Sequence, residues 1–122
     1  MAITAQDKGK LKISIFILHQ SAERFFMTIE LVFTDYKPQT HDLNLLYKQA
    51  CLHDARFKIV FPQETEEEKR LFIVLVKSYI DSRYKMGYTI AAEDLQYLID
   101  KVLLLKTLTE SICLEKINKF TS

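Results

Sequence analysis

Two glycines and two prolines are the whole supply of strong breakers in 122 residues, at Gly9, Pro38, Pro62 and Gly87. Such sparse punctuation leaves room only for long elements with few turns. The apolar spacing between the breakers makes those elements helices. From about Lys10 to Asp35, Leu11, Ile15, Leu18, Ala22, Phe25, Phe26, Ile29, Val32 and Phe33 follow the i, i+3, i+4, i+7 template. Ile13, Phe16, Ile17, Met27 and Leu31 widen that stripe almost to a belt. A helix apolar nearly all round is expected to be central and covered on several sides. His19, Gln20, Glu23, Arg24 and Glu30 should mark what surface it keeps.

Asp35 to Thr40 reads as a turn, since Pro38 disfavours helix at Lys37 and Thr40 is placed to cap the next helix. That second helix is expected over about His41 to His53. Arg56 to Phe61 reads as a loop whose Phe57, Ile59 and Phe61 plug the core. Thr65 and Glu68 form a capping box for a third helix, and three glutamates in its first turn suit the helix dipole. Its stripe of Leu71, Phe72, Leu75, Val76, Tyr79 and Ile80 ends near Tyr84, and Gly87 is placed for a left-handed break. A fourth helix spans about Ala91 to Lys119, with Leu95, Leu98, Ile99, Val102, Leu105, Leu108, Ile112 and Ile117 at helical spacing. The expected fold is all-α: a four-helix antiparallel bundle forming one domain over residues 1–122, with residues 1–9 poorly ordered.

Composition excludes several classes. Apolar residues make up 48% against 27% charged, which places the chain outside the disordered regime. Seventeen basic residues against sixteen acidic give a net charge of +1, which does not support broad electrostatic capture of nucleic acid, although a local basic patch remains open. Cys51 and Cys113 lie far apart without C-x-x-C spacing, so reduced, core-facing thiols are expected rather than a disulfide. No stretch reaches the ~18 apolar residues that span a membrane. The first ten residues lack a basic region leading into an apolar core, and the cytoplasm is the expected address.

Functional groups concentrate between Asp81 and Asp94, where an arginine, two tyrosines and a glycine share one connection between helices. Arg83 is a natural reader of phosphate or carboxylate through its planar guanidinium. Three polar motifs then match a family. Leu18-His19-Gln20-Ser21-Ala22-Glu23-Arg24 resembles the HQ-x-x-E signature of HEPN domains. Tyr36-Lys37-Pro38-Gln39-Thr40-His41-Asp42-Leu43 resembles their P-x-T-H-x-L turn. Tyr79 to Tyr84, followed by Tyr88-Thr89-Ile90 and Glu93-Asp94-Leu95, resembles their linker into the last helix. The motifs occur in the family's order over about residues 13–112. The nearest look is to the HEPN module that accompanies bacterial nucleotidyltransferases.

Two departures qualify the resemblance. HEPN domains usually carry a further amphipathic helix before the HQ-x-x-E helix, whereas only Met1 to Gly9 stand there. The chain is then shortened or part of a longer protein, and the open apolar belt calls for a partner. Ribonuclease members of the family carry an Arg-x4-6-His motif in the last linker. Arg83 stands at the arginine's place and Tyr88 at the histidine's. Tyrosine titrates near ~10 and histidine near ~6.5, so acid–base cleavage of RNA is not supported.

Each candidate has a plain alternative. Arg83 pairs with Asp81, with Glu23 or with a helix end, or it meets an anion. Tyr84 and Tyr88 pack on a neighbouring helix or stack on a base. His41 makes local hydrogen bonds at a helix start or contacts phosphate. His19 and Glu23, four residues apart, read as a solvated or hydrogen-bonded pair rather than metal ligands. His53 reads as a dipole or surface residue. Glu64 to Glu68 are explained by capping, and Lys101, Lys106, Lys116 and Lys119 interleave with Asp100, Glu110 and Glu115 as on an ordinary solvated helix. No Gly-rich phosphate loop, nucleophile elbow or Cys/His cluster is present, so no cofactor and no metal are expected.

The resemblance therefore implies a non-catalytic nucleotide- or nucleic-acid-binding module, as a homodimer or beside a nucleotidyltransferase. Its cleft would be formed by Arg83, Tyr84, Tyr88, Asp81, His41 and Glu23. A divergent ribonuclease using Arg83 with His41 or His19 across space, and a purely structural interaction domain, are the alternatives.

Overall fold

A computed structural model describes residues 5–84 and 90–121. All of its regular elements are helices: α1 (Ala5–Thr34), α2 (Leu43–His53), α3 (Phe57–Val60), α4 (Glu66–Tyr84) and α5 (Ala92–Thr121). Among the described residues, no helix is long and apolar enough to cross a membrane.

The expectation of a central first helix holds. Ile15, Ala22, Phe26 and Ile29 are buried along one stripe of α1, and α2, α4 and α5 all pack against this helix. Its belt is not fully covered, since Ile13, Ile17 and Leu31 remain exposed. Helix α1 begins at Ala5, inside the segment expected over 1–9 to be poorly ordered. The remainder, Met1 to Thr4, and Gly87 with its expected break lie outside the described residues.

Helix α1 ends where Asp35 takes a left-handed φ of 60°, with its amide still bonded to the Leu31 carbonyl at 2.8 Å. Aspartate is among the few non-glycine residues that tolerate this region, a common helix-ending conformation. The chain then doubles back along α1, with Pro38 buried beneath it. Asp42, not Thr40, caps α2: its carboxylate accepts from the amides of Asn44 at 3.1 Å and Leu45 at 3.3 Å. A carboxylate at a helix N-terminus also answers the macrodipole, which a threonine hydroxyl does not. Thr40 serves one step earlier, accepting from the Asp42 amide at 3.0 Å.

Residues 56–61 form a helical turn rather than the expected loop. Asp54 starts it, accepting from the Arg56 amide at 2.9 Å through its side chain and from the Phe57 amide at 3.2 Å through its carbonyl. Helical spacing puts Phe57, Val60 and Phe61 on one buried face and leaves Ile59 67% exposed. An extended segment would instead have put 57, 59 and 61 together, which is why Ile59 does not plug the core. Ile117 likewise departs from the expected stripe of α5 and is 55% exposed.

Phe26 sits among Tyr47, Phe57 and Phe61 at centroid distances of 6.1, 6.1 and 6.3 Å, and Phe72 joins Tyr47 and Phe61 at 5.1 and 5.0 Å. The Tyr47 hydroxyl donates to the Phe61 carbonyl at 2.8 Å, and burial pushes its pKa up. The capping box closes as expected: the Glu68 amide donates to Thr65 Oγ1 at 3.1 Å, and the Thr65 amide to Glu68 Oε1 at 3.0 Å.

Helix directions follow from these contacts. His41 and His53, flanking and ending α2, meet Glu23 and Glu30 of α1, so α2 runs in the sense of α1. Helix α5 does too, since Lys116 lies over the Phe33 ring at 4.3 Å. Helix α4 runs the opposite way, its Tyr79 beside Phe16 and its Phe72 in the cluster around Phe26. The bundle is therefore not the alternating antiparallel arrangement expected. The reversal lost between α1 and α2 is the one made by the returning loop.

Candidate functional site

The polar residues of α1, the returning loop and α4 meet at one point. Glu23, one turn after His19 on α1, is nearly buried, and its Oε1 lies 2.6 Å from His41 Nδ1. The His41 ring lies flat against the Tyr79 ring, 5.3 Å between centroids and 7° from parallel. His19 approaches the same tyrosine at 5.5 Å. Its Nδ1 stands 3.6 Å from Glu23 Oε2, beyond hydrogen-bond reach.

His19 corrects the expectation of a solvated or hydrogen-bonded pair. It is fully buried, and neither ring nitrogen has a hydrogen-bond partner among the described residues. The reason is its register: His19 shares the stripe of Ile15, Ala22 and Phe26, so the helix turns it inward. Burial lowers its pKa; the Glu23 carboxylate opposes that shift and His41 reinforces it. His41 is the reverse case, its side chain 63% exposed and positioned by its partners. This arrangement holds one imidazole at the surface by a carboxylate and an aromatic face. Its chemistry is hydrogen-bond donation or acceptance toward a ligand.

Of the six residues expected to form the cleft, Glu23 and His41 are brought together. Asp81 borders a different concavity, a groove of about 560 Å³ between α4 and α5 that Lys77 and Ile90 also line. Arg83 and Tyr84 belong to the last turn of α4, one helical turn beyond Tyr79 and Ile80. Their side chains, and Tyr88 entirely, lie outside the described residues.

Other candidates resolve as parts of the scaffold. His53 is not a bare surface residue: its Nε2 lies 2.9 Å from Glu30 Oε2, and its ring stacks on Phe33 at 4.9 Å and 10°. Arg56 is held by Asp54 and Glu115, and Arg70 by Glu67 and Asp94. Cys51 and Cys113 are free, half-buried thiols whose pKa values burial raises. Among the described residues, no three His, Cys, Asp or Glu side chains are placed to hold a metal ion.

Three residues of this region were not expected as site residues. Tyr79 read as a member of the buried stripe and as the start of the segment that resembles the family's linker, without a role of its own. Arg24 and Lys37 read as surface and turn. They line adjoining clefts between α1 and the returning loop, and only the path of that loop brings them together.

No family model matches the chain, and a search of curated proteins finds no significant match.

Proposed function

We propose that this chain is a non-catalytic, HEPN-like helical module that binds a nucleotide or a nucleic-acid strand, as a homodimer or beside a nucleotidyltransferase. One observation carries the reading. The three segments that resemble the HEPN motifs converge through Glu23, His41 and Tyr79, with His41 Nδ1 2.6 Å from Glu23 and the tyrosine ring flat beneath it. Arg83 follows Tyr79 by one turn of the same helix. Tyr88 at the ribonuclease histidine's place argues for binding without cleavage.

Isothermal titration of ATP, AMP and a short single-stranded RNA, run beside light scattering, tests the proposal. Micromolar binding to a dimer, lost in Arg83→Ala with helicity retained, supports it. A protein that binds none of these probes is instead an interaction domain.

A divergent metal-independent ribonuclease is a second reading, favoured by the His41–Glu23 contact. A carboxylate that orients an exposed imidazole is the usual arrangement behind a general base. RNA left intact by the wild-type protein ends it. Cleavage that His41→Ala removes would place this reading first.

A further inference from the structure

Where the returning loop lies along α1, it encloses two adjoining clefts. The first, about 500 Å³, is lined by Arg24, Met27, Thr28, Leu31 and Lys37. The second, about 250 Å³, shares Arg24, Met27 and Lys37 and runs on to Glu23 and His41. The larger falls within the size range of small-molecule sites, roughly 300–1,000 Å³.

The charges in these clefts are unanswered. Arg56 and Arg70 are each clamped by two carboxylates, whereas Arg24 and Lys37 pair with no carboxylate among the described residues. Glu23, the acid that lines the second cleft with them, is engaged by His41. Lys37, Gln39, Thr40 and His41 line the second cleft, and their amides have no protein acceptor among the described residues. Met27 and Leu31 supply apolar surface beside the charges, and Leu31 is 47% exposed. Two cations, free amides and an apolar floor describe a ligand with a phosphate at one end and a flat apolar group at the other. A guanidinium binds such a phosphate through two parallel hydrogen bonds, and a lysine adds a point charge.

We propose that the cleft between α1 and the 35–42 segment is the phosphate-binding site for a nucleotide, with Arg24 and Lys37 as its anion-binding pair. The proposal rests on the nucleotide-binding reading. It assigns the phosphate to these two residues, where that reading assigned it to Arg83. A free nucleotide and a nucleic-acid strand present the same phosphate chemistry, and the choice of probes separates them.

The experiment titrates ATP and a short single-stranded RNA into wild-type protein, the Arg24→Gln/Lys37→Gln double variant and Arg83→Ala. Circular dichroism runs alongside. Arg24 and Lys37 are exposed, so the double variant retains its fold. The double variant is expected to lose at least about tenfold in affinity for whichever probe binds, the scale of charge-assisted hydrogen bonds. If the strand binds, the slope of log affinity on log salt falls by about 1.4, or ~0.7 per phosphate contact removed. Inorganic phosphate competes with the probe on the wild-type protein. Unchanged affinity in the double variant, together with loss in Arg83→Ala, overturns the cleft and leaves the nucleotide-binding reading standing. Loss in the double variant alone supports the cleft and removes Arg83 from the site. If neither probe binds the wild-type protein, both readings fall.

Discussion

Replacing His19 with leucine is expected to leave the protein as stable as before or more so, although the ring lies in the core. A fully buried imidazole always carries at least one N–H, and neither His19 nitrogen has a hydrogen-bond partner among the described residues. An unsatisfied buried polar group costs about 1–3 kcal/mol. Leucine removes that cost and fills a similar volume. Against it stands the lost ring contact with Tyr79 at 5.5 Å, worth about 0.5–1.5 kcal/mol. The balance at neutral pH runs from about −0.5 to about 2.5 kcal/mol in favour of the variant, centred on about 1.

Acid should widen that gap. Burial holds the His19 pKa below its ordinary 6.5 in the folded protein. Below about pH 6.5 the unfolded chain takes up a proton at His19 that the folded chain refuses. The unfolded state then binds more protons, so wild-type stability falls with falling pH, by up to ~1.4 kcal/mol per pH unit from this group. The loss runs from the ordinary histidine pKa down to the depressed folded value and is absent from His19→Leu. Urea denaturation followed by circular dichroism, at several values between pH 5 and 8, measures both terms. A variant clearly less stable than wild type at neutral pH, with an unchanged pH dependence, would refute the reasoning. It would mean that the ring is hydrogen-bonded in solution and titrates normally.

Two further substitutions test the scaffold. Thr65→Ala breaks the reciprocal bonds with Glu68 and should cost about 1 kcal/mol, read as a lower urea midpoint with unchanged slope; adding Glu68→Ala should cost little more, since both residues serve one motif. Phe26→Ala, at the centre of the aromatic cluster, should cost about 3–5 kcal/mol, while Phe120→Ala, at a position 89% exposed, should stay within ~0.5 kcal/mol of wild type. Equal effects of the two phenylalanine variants in thermal unfolding would contradict the placement of the core.

The long helices were legible because each had several agreeing signals. Apolar spacing, the Thr65–Glu68 box and sparse breakers all place α4 and most of α5 where they are. Legibility failed where one residue chooses between local conformations. Asp35 could have continued a turn in either direction, and its left-handed backbone sends the chain back along α1. That choice sets the direction of α2, moves the cap from Thr40 to Asp42, and lays Lys37 beside Arg24. Nothing in the spacing of apolar residues encodes it, because the spacing records which face is buried and not which way the chain returns. Residues 56–61 failed for a related reason: both an extended and a helical reading bury Phe57 and Phe61, and only Ile59 against Val60 tells them apart.

The site was legible in its parts and not in its geometry. Glu23 and His41 were expected in one cleft with Arg83, but their direct contact, between residues 18 apart, exists because the loop returns. His19 is the more informative failure. Every signal in its stripe says core, its chemistry says surface, and the fold buries it with no hydrogen-bond partner among the described residues. Natural sequences agree with local rules almost everywhere, and the exceptions gather at sites where function sets the residue. Here the exception touches Tyr79 and approaches Glu23, the two residues that hold His41 in place. A cluster held together for stability alone could carry a leucine at 19, which gives up the Tyr79 ring contact but leaves no buried N–H unsatisfied. If His19→Leu gains stability and also weakens binding of ATP or RNA, the imidazole serves the ligand through the position it gives Glu23 and Tyr79.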